Sequence, residues 1–159
     1  MSSQLEPDLF RRACSLFATG IAIITTKDSV GIPHGMTVNS FASVSLNPPL
    51  VLFCLDERAA LLSHIAPNRC IAINLLAEEQ ADQSSRFARK SEDRFENLDW
   101  KTGTLGSPLL AGALANFECT VTQLIPAGDH QIVLAHVHSV EWREGRPLLY
   151  FASAYESVA

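Results

Sequence analysis

The residues able to do chemistry in this chain fall into a few groups, and the densest group is uncharged. Residues 35–53 read GMTVNSFASVSLNPPLVLF, with hydroxyls at Thr37, Ser40, Ser43 and Ser45 and an amide at Asn39, and no charged residue occurs from 35 through 55. Written as a strand, the stretch puts Met36, Val38, Ser40, Ala42, Val44 and Leu46 on one face and Thr37, Asn39, Phe41, Ser43 and Ser45 on the other. The first set predicts a core face. The second has two readings: hydroxyls decorating an exposed or edge strand of an antiparallel sheet, or a neutral hydrogen-bonding wall for a ligand. His130 follows Gly128-Asp129 at a turn feeding a strand. A scaffold can hold an imidazole there at a pocket mouth, although a loop histidine is commonly no more than solvated.

Other chemistries find less support. His136 and His138 lie two apart and share a strand face, but no carboxylate or cysteine spacing completes a metal site, so no metal is expected. Cys14, Cys54, Cys70 and Cys119 form no CxxC or Cys/His pair and read as buried apolar residues. The eight glycines make neither GxGxxG nor GxxxxGK[ST], so a nucleotide would have to be held in another way. A hydrolase is disfavoured because there is no GxSxG elbow and no second His–acid pair to orient a base.

The elements that must position these residues follow from pattern and composition. At 159 residues, 47% of them hydrophobic, the chain suits a single folded domain spanning 1–159. The net charge of -5, without a Lys/Arg cluster, argues against a nucleic-acid partner. The first residues carry acids and no apolar signal core, and Asn47-Pro48-Pro49 interrupts the uncharged stretch; a cytoplasmic protein with no membrane association is expected.

PDLFRRACSLFATG predicts an amphipathic lid helix started by Pro7-Asp8 and stopped by Gly20, and IAIITT a β-branched strand. AALLSHIAPN predicts a helix of about three turns, RCIAINLLA a buried strand, and EEQADQSSRFARKSEDRF a polar helix anchored by Phe87 and Phe95. WKTGTLGSPLLAGA reads as a connection, followed by three strand candidates, ANFECTVTQLIPA, HQIVLAHVHSVEW and PLLYFASAY. Strands outnumber helices and no βαβ rhythm appears. The expected fold is mainly β, an antiparallel barrel with peripheral helices.

In collinear order over nearly the whole chain, FRRACSLFATGIAIITT, GMTVNSFASVSLNPPLVLFCL, IAINLLAEEQADQSSRFA, GDHQIVLAHV and PLLYFASAY resemble the flavin reductase-like family, the small reductase components of two-component flavin monooxygenases. The resemblance implies a Greek-key split β-barrel, usually a homodimer, that binds FMN or FAD, reduces it with NADH or NADPH and passes reduced flavin to a monooxygenase. It further implies that Thr37, Val38, Asn39, Ser40, Ser43, Val44 and Ser45 line the isoalloxazine and ribityl chain. Cys54, Leu55 and Asp56 would approach from the next strand, and Ala60, Asn74, Leu75 and Phe87 would complete the cofactor contacts. His130 matches a nicotinamide-side histidine, with Asp129, Phe151 and Tyr155 on the same side. The residue types suit the ligand. Oxidised isoalloxazine is neutral with an edge of alternating donors and acceptors, and hydride transfer needs two rings held together with little water more than it needs an acid or base.

One departure concerns the phosphate. Many relatives carry hydroxyls after the cysteine-containing strand, where this chain has Ala59, Ala60 and Leu61. Backbone N–H groups at the following helix, with Arg58, Arg86 or Arg89, would have to serve instead. The alternative function is a flavin-binding redox protein or sensor without NAD(P)H turnover; a further one is an FMN enzyme that retains its flavin and reduces another acceptor.

Overall fold

Long β-branched runs, paired in antiparallel register, give this chain its barrel. The computed structural model describes residues 5–90 and 93–158. Within them the order is α1 (Pro7–Ser15), β1 (Thr19–Gly20), β2 (Ala22–Lys27), β3 (Pro33–Val38), β4 (Ala42–Leu46), β5 (Pro49–Asp56), a 3-10 turn (Ala60–His64), β6 (Cys70–Leu75), a second 3-10 turn (Glu78–Gln80) and α2 (Ala81–Ala88). There follow β7 (Trp100–Thr102), β8 (Pro108–Leu110), β9 (Ala115–Ala127), β10 (His130–Trp142), β11 (Leu149–Phe151) and β12 (Ala154–Glu156). The main sheet has the order β3-β2-β6-β9-β10-β5-β4, with β1-β11-β12 and β7-β8 as small accessory sheets. No described helix is long and apolar enough to cross a membrane.

The continuous run AIITT explains how one strand serves two cores. Ala22 and Ile24 point into the barrel with Phe53, Ile71, Ile73, Val121 and Val133, while Ile21 and Ile23 point outward against Leu76, Leu110, Leu148 and Phe87 of α2. A strand buried on both faces needs apolar residues at successive positions, which is how β2 reads. Phe87 is fully buried and meets Phe95 edge-on at 5.0 Å. Burying such a ring stabilises by about 1.5–3 kcal/mol.

Between the cores sits the fully buried Asn74. Its Nδ2 donates to the Ile23 carbonyl (2.9 Å) and to Thr25 Oγ1 (3.1 Å), and its Oδ1 accepts from Leu110 N (2.9 Å) and Asn116 Nδ2 (2.7 Å). The amide thus links β2, β8 and β9 through β6, and all its hydrogen-bonding capacity in view is used.

Several expectations are corrected. Helix α1 ends at Ser15 and not at Gly20, which belongs to β1; none of its residues is buried, and Leu9 and Phe10 on it and Leu16 and Phe17 after it are all exposed. The strand expected to alternate from Met36 to Leu46 breaks after Val38, and its second half lies on a sheet edge with a bulge near Ser43, so Val44 and Leu46 face outward at 48% and 96% exposure. AALLSHIAPN makes only the five-residue 3-10 turn, because Pro67 and the left-handed Asn68 stop it. Only residues 78–88 of the expected polar helix are helical, and Ser91 and Glu92 of that expectation lie outside the described residues. PLLYFASAY is a hairpin, β11 and β12, turning at Ala152-Ser153, and WKTGTLGSPLLAGA holds the β7-β8 hairpin. Of the four cysteines only Cys119 is buried, where burial, with Glu118 beside it, pushes its thiol up to about 12.

Asn74→Asp, which keeps the shape but sets a carboxylate oxygen against the Ile23 carbonyl in place of a donated N–H and buries a charge, is expected to cost about 3 kcal/mol or more. A chemical-denaturation midpoint equal to that of the parent would show that the amide is not the junction described.

Candidate functional site

The site forms where the polar stretch bends. Residues 39–41 connect β3 to β4, and Ser40 pins the bend to β5: its hydroxyl accepts from Cys54 N (2.8 Å) and lies 3.3 Å from the Cys54 carbonyl, to which it donates. Thr37 Oγ1 donates to the Ser84 carbonyl of α2 at 2.6 Å. Two of the four hydroxyls therefore hold the wall in place. Asn39 is exposed and stands on the wall shared by two clefts.

The first cleft, about 240 Å³, is apolar, with Phe17, Ile21, Phe41, Leu75 and Leu114 beside Thr19, Gly20 and Asn39. The second, about 210 Å³, is lined by Thr37, Val38, Asn39, Ser84, Tyr150 and Tyr155. Tyr155 Oη is 2.9 Å from Ser84 Oγ and packs edge-on against Tyr150 at 5.8 Å. No charged side chain lines either cleft. Apolar and aromatic walls with a few amide and hydroxyl groups suit a neutral, planar heterocycle with one polar edge, and isoalloxazine is such a ring. One observation adds to the fit: Thr19 Oγ1 is buried without a hydrogen-bond partner.

His130 opens β10 opposite Asp56 of β5. Its Nδ1 is 2.7 Å from Asp129 Oδ1, and this contact holds the Asp129 carboxyl below the usual carboxylate range. Asp56 Oδ1 accepts from Arg58 N (2.7 Å) and Nε (3.1 Å), and Oδ2 from Arg58 Nη2 (2.9 Å); this clamp holds the Asp56 carboxyl well below that range too. Glu57 N donates to the Asp129 carbonyl at 3.0 Å, so the two turns are joined. Cys54, the anchor of Ser40, pairs with Ile132. His130 is two residues further along that strand, about 7 Å, which puts it at the end of the barrel where the bend is latched.

The expected site residues thus separate by access. Thr37, Val38, Asn39 and Tyr155 line one cleft, and Asn39 and Leu75 the other. Ser40 and Cys54 are bonded to each other, and Ser43, Val44 and Ser45 lie along β4 beyond the bend. Leu55, Phe87 and Asn74 are each at most 1% exposed, so their side chains have no surface to offer, and the Asn74 amide is committed to the interior. Ala60 is exposed at the start of the 3-10 turn, where no side chain caps the N-terminus. Of the arginines considered for phosphate, Arg58 is held by Asp56 and Arg86 donates to the carbonyls of Asp93 and Glu96. Phe151 is 39% exposed on β11. Among the lining residues that the sequence does not single out for the site are Ser84 and Tyr150, which carry no local signal, and Thr19 and Gly20, whose glycine reads as a helix stop.

Residues 14–159 match the family model described as "Flavin reductase like domain". The reductase subunit HsaB of a flavin-dependent monooxygenase from Rhodococcus jostii is 39% identical over 155 residues, which are 97% of this chain and 79% of that protein. Two solved structures superpose with a TM-score of 0.91. Nitrilotriacetate monooxygenase component B from Mycobacterium thermoresistibile is 38% identical, with 96% of this chain and 86% of that one covered. The NADH:FAD oxidoreductase SgcE6 from Streptomyces globisporus, solved with NAD and FAD fragments, is 34% identical, with 99% and 98% covered. Matched by the family model over nine-tenths of its length and sharing their barrel, the chain belongs to the flavin reductase-like family.

Proposed function

We propose that this protein is an NAD(P)H-dependent flavin reductase, a single domain over 1–159, that reduces FMN or FAD and supplies the reduced flavin to a partner monooxygenase. The observation that carries the reading is the pair of uncharged clefts meeting at Asn39. The flavin, when bound, accepts a hydride at its ring and carries it onward. The chain's part is positional. Thr37 and Ser40, tied to α2 and β5, keep the wall rigid; Asn39 presents its amide; and Phe41, Leu75 and Leu114 exclude water. His130, oriented by Asp129, would hold the nicotinamide by a hydrogen bond, with Phe151 and Tyr155 contributing aromatic surface.

The arrangement also supports a flavin that comes and goes. Arg58 and Arg86 are engaged by internal partners, and the turn after β5 has alanines where hydroxyls would grip a phosphate. Binding then rests on the ring and on what Arg89 and backbone N–H groups offer the phosphate. That favours turnover of flavin as a substrate over permanent retention.

The outer face of the barrel supports reading the protein as a homodimer. Leu52 pairs with Leu134, and Cys54 with Ile132, which pairs in turn with Ile125. Their neighbours Phe53 and Val133 point into the core, so these half-exposed apolar side chains line the other face of the sheet. A second copy covering this face would remove the apolar area from water.

Oxidation of NADH or NADPH that depends on added FMN or FAD is the direct test; no flavin-dependent rate with either dinucleotide would remove the reading. In His130→Gln, KM for the dinucleotide should rise at least as much as kcat falls, with flavin affinity unchanged. A loss confined to kcat would assign His130 a different role. Ile132→Glu should convert the dimer to a monomer by light scattering. A wild type that is already monomeric at micromolar concentration contradicts the interface.

A further inference from the structure

We propose that Thr19 and Gly20, the two residues of β1, form a binding edge for the flavin ring in the apolar cleft, Thr19 through its hydroxyl and Gly20 through the space it leaves. The inference rests on the flavin reductase reading and assigns it two residues that neither the sequence motifs nor the comparisons single out.

Thr19 Oγ1 is the buried side-chain polar atom without a hydrogen-bond partner among the described residues. A buried hydroxyl in that state destabilises the protein that carries it, and folded proteins keep few of them. The strand gives it no escape, because β1 is fixed by pairing Thr19 with Tyr150 and Gly20 with Leu149, and Leu76 N donates to the Ile21 carbonyl at 2.9 Å immediately after it. Thr19 lines the cleft. Rotation about its Cα–Cβ bond to another staggered position would present Oγ1 to a ligand in the cleft.

Gly20 supplies an independent observation. Its backbone is not left-handed, and a Cβ built on it would meet nothing within 4 Å. Gly35 differs: a Cβ there would strike the Phe87 ring at 2.8 Å, so packing requires that glycine. Neither backbone nor neighbours require Gly20, and the space it leaves opens on the same cleft. A flat ring seated between Phe41, Leu75 and Leu114 would approach the chain at this point, with a ring carbonyl or ring nitrogen as the partner of Thr19.

The test pairs affinity with stability in Thr19→Val, Thr19→Ser and Gly20→Ala. Affinity is read from the quenching of FMN and FAD fluorescence on titration with protein, and stability from melting without flavin. Thr19→Val should melt at or above the wild-type temperature and bind flavin about tenfold more weakly, and Thr19→Ser should bind as the wild type does. Gly20→Ala should melt as the wild type does and bind several-fold more weakly. Wild-type affinity in both Thr19→Val and Gly20→Ala overturns the proposal and leaves the flavin reductase reading standing. A large drop in the melting temperature of Thr19→Val overturns the Thr19 assignment, because it would reveal an internal partner for the hydroxyl. Wild-type protein that quenches neither flavin removes the reading and the proposal together.

Discussion

The cleft walls on β1 and β3 depend on a strand between them, β2, that the Asn74 amide ties to its neighbours. One side chain ties the Ile23 carbonyl and Thr25 of β2, the Leu110 amide of β8 and Asn116 of β9 to β6. An apolar residue at this position would take away the acceptor of the Leu110 N–H in an interior where an unmet polar group costs about 1–3 kcal/mol, while Thr25 would keep the Pro108 carbonyl and Asn116 the Leu110 carbonyl. The consequence is mechanical. β2 is held between two cores, and β1, which precedes it, and β3, which pairs with it, emerge at fixed positions on either side of the cleft.

The chemistry of the cleft follows from how the polar groups of the 35–55 stretch are divided. Thr37 and Ser40 satisfy backbone groups, so they shape the wall, and Asn39 remains free to face a ligand. Charges are kept away from this wall and gathered at the joined turns around Asp56, Arg58, Asp129 and His130. The barrel thus carries an uncharged wall at the latched bend and a charged rim at the joined turns.

The sequence made the barrel legible because β9 and β10 are long, β-branched and separated by a Gly-Asp turn, and their limits in the fold coincide with the runs read from the chain. It misled at residues 36–46, where strict alternation gives no warning of a bend. Ser40 bends there because its hydroxyl finds Cys54, a partner 14 residues away. Asn74 illustrates the same limit from the other direction: its residue type suits a ligand contact, and only the tertiary arrangement shows that four internal partners consume it. Thr19 is the converse case. An ordinary residue beside an apparent helix stop is distinguished only by lacking a partner once folded.

The central claim is that flavin binds at the bend where β3 turns into β4. Amide hydrogen exchange, measured with and without saturating FMN or FAD, reads it directly. Slower exchange is expected at residues 19–21, 37–41 and 150–155, with little change along residues 136–142 of β10. Saturating flavin that leaves residues 37–41 unprotected while protecting another part of the barrel would contradict it.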